Sequence, residues 1–253
     1  MIIDTAHDAQ IPALRSLWKE AFSDSDAFLD TFFRTAFHPE RCRVAYQGKQ
    51  IAAALYWFRC SYDGAPLAYL YAVATARKYQ RQGICHKLME HTHAYLQALG
   101  YQGTILVPGN ENLFRLYETM GYRPGGSLRS FACTAAAAPV PLSPIDRNTF
   151  AKLRRSLLPE KSVIQEQENL AFLQTQAGFF AGDGFLLTAR KKGDTLQGIE
   201  LLGEPAAAPG ILTALRCTKG TFRTPGTDIP FAMSYSFDAD KPVAPSYFGF
   251  AFD

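Results

Sequence analysis

The sequence is poor in cysteine, and no two cysteines stand at the spacing of a metal or redox motif. Its 253 residues include five cysteines, an odd number, without a CxxC pair. Neither a disulfide framework nor a thiolate zinc site is therefore indicated, and a reducing cytoplasm is the compartment that this usage favours. We predict no metal site. The cysteines are Cys42, Cys60, Cys85, Cys133 and Cys217.

Long apolar runs and a strong charge excess are also missing. No run approaches the roughly 18 apolar residues that a membrane span needs. The first ten residues, MIIDTAHDAQ, have neither the cationic start nor the apolar core of a signal peptide. The 26 basic and 23 acidic side chains give a net charge of +3, which is too small to indicate nucleic acid or a membrane as a partner. We therefore expect a cytoplasmic protein that binds neither, and a homo-oligomer is left open.

The first half of the chain shows helix and strand periodicities in alternation. Turn residues at Gln47-Gly48-Lys49 and Asp63-Gly64 join three strand patterns into an antiparallel meander. The predicted order is a strand at 2–5, helices at 11–22 and 23–37, strands at 42–46, 51–60 and 67–73, a helix at 84–99, a strand at 103–107, a helix after 110 and a strand at 128–134. This order indicates an α+β fold with a mixed, mainly antiparallel sheet and flanking helices.

An uncharged tract of alanine and proline, AAAAPVPLSP, follows from Ala135 and is the best linker in the chain. We therefore predict a first domain at 1–134, a linker at 135–145 and a second α+β lobe at 146–253. The lobe resembles a blurred copy of the first half, without an exact repeat. Its predicted helices are at 147–158, 163–176 and 210–216, and its predicted strands are at 179–181, 184–191, 196–202, 229–236 and 247–252.

The clearest chemical signal is a cationic loop before the third helix of the first domain. No acidic residue stands between Asp63 and Glu90. Gly83 allows backbone N–H groups to converge at a helix N-terminus, where unpaired amides and the helix dipole favour an anion. The pattern indicates a phosphate site, with a solvated basic loop as the alternative. The cations are Arg77, Lys78, Arg81 and Lys87.

The spacing of this loop excludes two common phosphate motifs. A Walker loop needs GxxxxGK[ST] and a dinucleotide fingerprint needs GxGxxG, and neither is present. Gln80-x-x-Gly83-x-Cys85 instead resembles the [RQ]xxGx[GA] loop of the GNAT acyltransferase superfamily. VATARKYQRQGICHKLM and NENLFRLYETMGYRP resemble the two motifs of that family at the right separation. The resemblance covers roughly residues 1–133 and implies a GNAT fold followed by a GNAT-like second lobe.

The resemblance also implies acetyl-CoA as the cosubstrate. The strand ending at 72–74 would bind the pantetheine arm as an added strand, the loop at 81–85 would wrap the pyrophosphate, and Asn110 would lie beside the coenzyme. Cys85 departs from the usual Gly or Ala, and we expect the helix N-terminus to lower its pKa. Arg77 replaces a common proline. The predicted coenzyme-binding residues are Ala72, Val73, Ala74, Gln80, Arg81, Gln82, Gly83, Ile84, Cys85, Asn110 and Asn112.

Two catalytic residues are implied by the same resemblance. Tyr117 matches the tyrosine that protonates the leaving thiolate, although its place on an apolar helix face also fits a core residue. The ending SYFGFAFD resembles that of two-lobed GNAT proteins of the Eis type, so Asp253, with its side-chain and terminal carboxylates, is a candidate near the reaction. No general base is singled out among Glu111, Glu118, His38 and His86.

The predicted function is an N-acetyltransferase that moves an acetyl group from acetyl-CoA to a primary amine of a small molecule or peptide. The second lobe carries no matching loop motif and is expected to line the acceptor pocket. One alternative is an acyl-CoA-binding or sensing protein without turnover. Another is a nucleotide-phosphate binder without acyl chemistry.

Overall fold

A computed structural model describes residues 1–252 of the chain and divides them into two units. Unit 1 contains Met1–Arg123 and Met233–Val243. Unit 2 contains Pro124–Ala232 and the residues from Ala244 onward. Within the described part of the chain, no helix is both long enough and apolar enough to cross a membrane.

The elements up to the junction of the two units follow the predicted order closely. In chain order they are β1 (Ile2–Thr5), α1 (Ile11–Phe22), α2 (Asp26–Thr35), β2 (Cys42–Gln47), β3 (Gln50–Tyr62), β4 (Ala65–Thr75), α3 (Ile84–Ala98), β5 (Gly103–Leu106), α4 (Glu111–Thr119) and β6 (Arg123–Pro124).

The remaining elements run from the junction to the last strand. They are β7 (Ser127–Thr134), β8 (Leu142–Pro144), α5 (Arg147–Leu157), α6 (Glu168–Gln174), β9 (Gly178–Gly182), β10 (Phe185–Lys192), β11 (Thr195–Gly203), α7 (Ala208–Ala214), β12 (Lys219–Pro225), β13 (Ile229–Pro230) and β14 (Met233–Ser236).

The sheet of unit 1 has the strand order β1-β2-β3-β4-β5-β14-β6. The β4–β5 pair is parallel, whereas the pairs β1–β2, β2–β3, β3–β4 and β5–β14 are antiparallel. The predicted α+β fold with a mixed, mainly antiparallel sheet and flanking helices is confirmed.

The centre of this sheet is covered on both faces. Every residue from Ala52 to Phe58 on β3 is buried, which explains why β3 reads as a continuous apolar run. On one face Trp18 of α1 packs against Tyr56, with ring centroids 5.1 Å apart. On the other face Leu88 of α3 and Trp57 share one apolar cluster. The loop from β4 to α3 therefore connects the middle of the sheet to a helix on a fully packed face.

The sheet of unit 2 has the order β13-β7-β12-β11-β10-β9-β8, with β11 and β12 parallel. A bidentate ion pair is buried in this unit. Arg154 Nε donates to Glu200 Oε2 at 2.7 Å and Arg154 Nη2 donates to Glu200 Oε1 at 2.9 Å. The hydroxyl of Tyr247 donates to the same carboxylate at 3.1 Å. Unit 2 is thus organised around a satisfied charge pair as well as an apolar core.

The two units of the structure differ from the two domains predicted with boundaries at 134 and 146, because each unit includes a strand that was assigned to the other domain. The strand at 127–134, which was assigned to the first domain, pairs with β12 in the sheet of unit 2. Conversely, the strand at 233–236 pairs with β5 in the sheet of unit 1. The predicted single strand at 229–236 is therefore two strands in two sheets. Pairing between distant segments decides this division, and local periodicity carries no information about it.

Four further details differ from the predicted elements. The linker 135–145 includes β8, whose residues pair with β9. The helix predicted at 163–176 is shorter, at Glu168–Gln174, and β12 was missed. The last predicted strand, at 247–252, is not a strand over its described residues, where only an isolated bridge joins Tyr247 to Ser162.

Candidate active site

A β-bulge interrupts β4 near its end. Ala54 of β3 pairs with Ala74 and Tyr56 pairs with Tyr71, so Ala72 and Val73 together lie opposite one residue of β3. Ala72 has a φ of +48°, a conformation that is unfavourable for a residue with a Cβ. Bulges twist a strand and redirect its backbone groups. The bulge contains two of the three residues predicted to bind the pantetheine arm, Ala72 and Val73.

The strands β4 and β5 separate before they reach this bulge. Their parallel pairing covers only Ala68 with Thr104 and Tyr69 with Ile105. Among the residues that the structure describes, the β5-facing edge of β4 has no strand partner from Leu70 to Thr75. An unpaired strand edge offers N–H and C=O groups to an extended ligand.

The loop between β4 and α3, residues 76–83, holds two left-handed residues. Arg81 has a φ of +59° and Gly83 a φ of +73°. A Cβ placed on Gly83 would meet no atom within 4 Å, so the space beside this residue is open. Two amide side chains stabilise the loop from within. Gln80 Nε2 donates to Thr75 O at 3.1 Å, and Gln82 Nε2 donates to Lys78 O at 3.0 Å.

The first turn of α3 presents unpaired backbone donors next to this open space. The first intrahelical hydrogen bond runs from Lys87 N to Gly83 O at 3.1 Å, so the N–H groups of residues 84–86 have no acceptor within the helix. The helix dipole adds positive potential at the same end. The loop and this turn also carry four exposed cations, Arg77, Lys78, Arg81 and Lys87.

Tyr117 lies on the buried face of α4, and its side chain is 7% exposed. It belongs to the apolar cluster that also contains Ile84, with Val73 and Cys85 packed against that cluster. Burial raises the pKa of Tyr117 well above its ordinary value, and the neighbouring Cys85 raises it further. In residues 1–252 its hydroxyl has no hydrogen-bond partner. Residues of the β4 edge and of the first turn of α3 therefore pack against the same apolar cluster that holds this phenol.

Residues 3–125 match the family model described as an acetyltransferase (GNAT) domain. Residues 3–125 form a GNAT acetyltransferase domain. Comparison with curated protein sequences finds no match.

Solved structures share the fold over most of the chain. A GCN5-related N-acetyltransferase from Kribbella flavida is 16% identical, with a TM-score of 0.74 over 94% of this chain and 71% of that one. A GCN5-related N-acetyltransferase from Anabaena variabilis is also 16% identical, with a TM-score of 0.73 over 94% and 73%. Eis1 from Mycobacterium abscessus is 12% identical, with a TM-score of 0.63 over 96% and 68%. The predicted resemblance to two-lobed GNAT proteins is confirmed.

The prediction for Cys85 of the GNAT domain was wrong in its direction. The position at a helix N-terminus suggested a lowered pKa, but burial raises the pKa of the Cys85 thiol to about 11. Desolvation of the thiolate outweighs the helix dipole here because the side chain turns toward the apolar cluster. Cys85 therefore packs against the apolar cluster as a protonated thiol.

Asn110 and Asn112 begin α4 of the GNAT domain in different ways. Asn110 is the N-cap, and its Oδ1 accepts a hydrogen bond from Leu113 N at 3.1 Å. Asn112 is exposed in the first turn. The cap explains Asn110 without a ligand, so the coenzyme contacts of both asparagines stay predictions.

The general base is not singled out by the structure. Glu111 and Glu118 are exposed on α4, while His86 is 3.2 Å from Glu90 and His38 is 3.8 Å from Glu40. Asp253 lies outside the described residues, and its catalytic role stays a prediction.

Two residues near the loop were missed from the sequence. Glu20 of α1 and Gln50 of β3 both accept hydrogen bonds from the loop. They precede their loop partners by 57 residues for Glu20 and by 28 and 29 for Gln50. No local pattern could reveal either contact.

Proposed function

We propose that the chain is an acetyl-CoA-dependent N-acetyltransferase. One observation carries the proposal: an unpaired, bulged strand edge, an anion-binding helix N-terminus and a buried phenol meet in one unit of a GNAT fold. The acceptor is proposed to be a primary amine on a small molecule or peptide. The five free cysteines favour a reducing cytoplasm as its compartment.

The proposed coenzyme contacts follow the geometry of the loop and strand. The backbone N–H groups of residues 81–85 and the cations beside them suit the pyrophosphate. The free edge at Ala72–Ala74 suits the amide groups of the pantetheine arm, which would pair with it as a short strand. The side chains of Gln80 and Gln82 hold the loop in shape, so their contribution to binding is made through the backbone.

The proposed chemistry is direct attack on the thioester. The amine nitrogen forms a bond to the carbonyl carbon while the carbonyl π electrons move to oxygen, where a β4 backbone N–H stabilises the negative charge. The C–S bond then breaks and the thiolate leaves with the bonding electrons. The ammonium proton passes to solvent or to a base, and Tyr117 protonates the sulfur.

Burial raises the pKa of the donor phenol and, in the same surroundings, that of the leaving thiol. A buried phenol keeps its proton at every working pH. A coenzyme thiolate in the same apolar surroundings is also destabilised, as the Cys85 thiol with its pKa of about 11 illustrates. Both acidities shift in the same direction, so Tyr117 stays a competent donor to the leaving sulfur.

A pair of matched glycine variants tests the coenzyme site. Gly83 and Gly64 both have positive φ, +73° and +77°, and a Cβ on either meets no atom within 4 Å. Alanine at either position should therefore cause a similar strain of roughly 1 kcal/mol. Only Gly83→Ala should weaken coenzyme A binding, by about tenfold in calorimetric titration, because relief of the strain reshapes the loop that contacts the phosphates.

Two results would contradict the proposal. One is equal coenzyme A affinity in Gly83→Ala and Gly64→Ala. The other is stronger stabilisation of the wild-type protein by ATP or NAD than by coenzyme A, which would favour a nucleotide-phosphate binder.

A further inference from the structure

The entry of the β4–α3 loop is held from outside by a carboxylate on α1. The backbone N–H of Arg77 donates to Glu20 Oε1 at 2.5 Å. The Arg77 guanidinium also approaches the Glu20 backbone carbonyl oxygen, at 3.5 Å. The contact between Glu20 and Arg77 links the start of the loop to α1, and the two residues are 57 positions apart in the sequence.

A second contact from outside the loop lies beside the first. Gln50 Oε1 accepts hydrogen bonds from Lys78 Nζ at 2.5 Å and from the Tyr79 hydroxyl at 2.9 Å. Lys78 Nζ also lies 4.9 Å from the centroid of the Tyr79 ring. Three consecutive loop residues are thus held by Glu20 and Gln50, whereas the residues after Tyr79 are held by the loop itself.

The backbone at this point is one that a proline would also adopt. Ala76 has φ −56° and ψ 137°, the extended conformation required before proline, and Arg77 is the first residue of a 3-10 turn. Proline would fix the loop entry through its ring but has no N–H. In this chain Arg77 supplies an N–H, and the Glu20 carboxylate fixes it instead.

We propose that Glu20 is a positioning residue for the coenzyme site: by binding the Arg77 N–H it holds the loop entry in the conformation that aligns the phosphate-binding amides. This inference rests on the proposed function. A positioning role and the charge of Glu20 predict opposite changes in coenzyme A affinity when Glu20 is removed. Removing a carboxylate beside an anion site should tighten anion binding electrostatically, whereas loss of positioning weakens it.

The test compares Glu20→Ala in two backgrounds that differ in the N–H of residue 77. In Arg77→Ala the N–H is kept, and Glu20→Ala should raise the dissociation constant of coenzyme A by about three- to tenfold, the range of one exposed charge-assisted hydrogen bond. In Arg77→Pro the N–H is absent, and the same change should not raise the dissociation constant, because only the electrostatic effect of the lost carboxylate remains. The KM for acetyl-CoA should follow this pattern with kcat unchanged.

Asp8→Ala is the matched control, because Asp8 is an exposed carboxylate of the same unit whose side chain accepts no hydrogen bond within the described residues. It should leave coenzyme A affinity as it is. Equal effects of Glu20→Ala in both backgrounds, or none in either while the wild type binds coenzyme A, would overturn the inference and leave the proposed function standing. A wild type that does not bind coenzyme A would overturn both.

Discussion

Tyr117 and Cys85 owe their acid strengths to the apolar cluster that they share. Burial is the main cause that raises the pKa of each side chain. The motif position of Tyr117 was readable from the sequence, but the depth of burial depends on Ile84 and on strands distant in the chain. Residue identity therefore suggested the role of Tyr117, and packing decides how strongly its proton is held.

His93 is a further buried titratable group in unit 1, and its burial predicts a loss of folding stability in acid. Its ring stacks on Tyr235 with centroids 4.4 Å apart, and its Nε2 is 2.8 Å from the Tyr122 hydroxyl, which is 2.7 Å from Thr104 Oγ1. Burial, and then the charge of His86, lower its pKa to about 4.

The sign of the pH effect follows from proton uptake. Between pH 6.5 and about 4 the unfolded chain binds a proton at His93 that the folded chain does not bind. The folded state should therefore lose roughly 3 kcal/mol of stability as the pH falls through this window. Urea unfolding at several pH values measures it. His93→Gln should flatten the acid slope, and the exposed His7→Gln should keep it; identical slopes in both variants would contradict the assignment.

At the scale of single elements, the sequence predicts well where helices and strands lie, but it predicts poorly which segments pair with one another. The helices α1 and α3 and the strands β2 to β4 form near their predicted bounds, because each buries a stripe or face that is visible as periodicity. The segment at 247–252 has aromatic alternation typical of a strand. In the structure Gln165 takes the place of a strand partner, donating to Phe250 O at 2.7 Å and accepting from Phe250 N at 3.3 Å.

Two neighbouring arginines of unit 2 form ion pairs that differ in burial, and breaking the buried pair should cost much more folding stability than breaking the exposed one. The side chains of Arg154 and Glu200 are 2% and 1% exposed, whereas Arg155, which pairs with Glu166, is 64% exposed. Glu200→Gln removes the carboxylate that accepts two hydrogen bonds from a buried guanidinium and should cost about 3–5 kcal/mol. Glu166→Gln should cost less than about 1 kcal/mol. Chemical unfolding measures the free energy of unfolding of both variants. Similar losses would show that burial does not determine how much an ion pair contributes to stability.

At the scale of the whole molecule, the two halves of the sequence are not the two units of the structure. Each half contributes a strand to the sheet of the other unit, at 127–134 and at 233–236. The coenzyme motifs could be located from sequence because their residues are adjacent along the chain. The support for the loop by Glu20 could not, because it depends on how α1 packs against the sheet.

The most direct test of the central claim is release of free thiol from acetyl-CoA in the presence of a panel of primary amines, with aminoglycosides, polyamines and peptide N-termini included. The wild-type protein should release thiol with at least one amine, and mass spectrometry should find that amine acetylated. Tyr117→Phe should lower the rate by about 10²- to 10³-fold, the usual contribution of a general acid, with coenzyme A affinity unchanged. Release unaffected by Tyr117→Phe would contradict the acid role, and binding of acetyl-CoA without release for any amine would contradict the enzyme and indicate an acyl-CoA sensor.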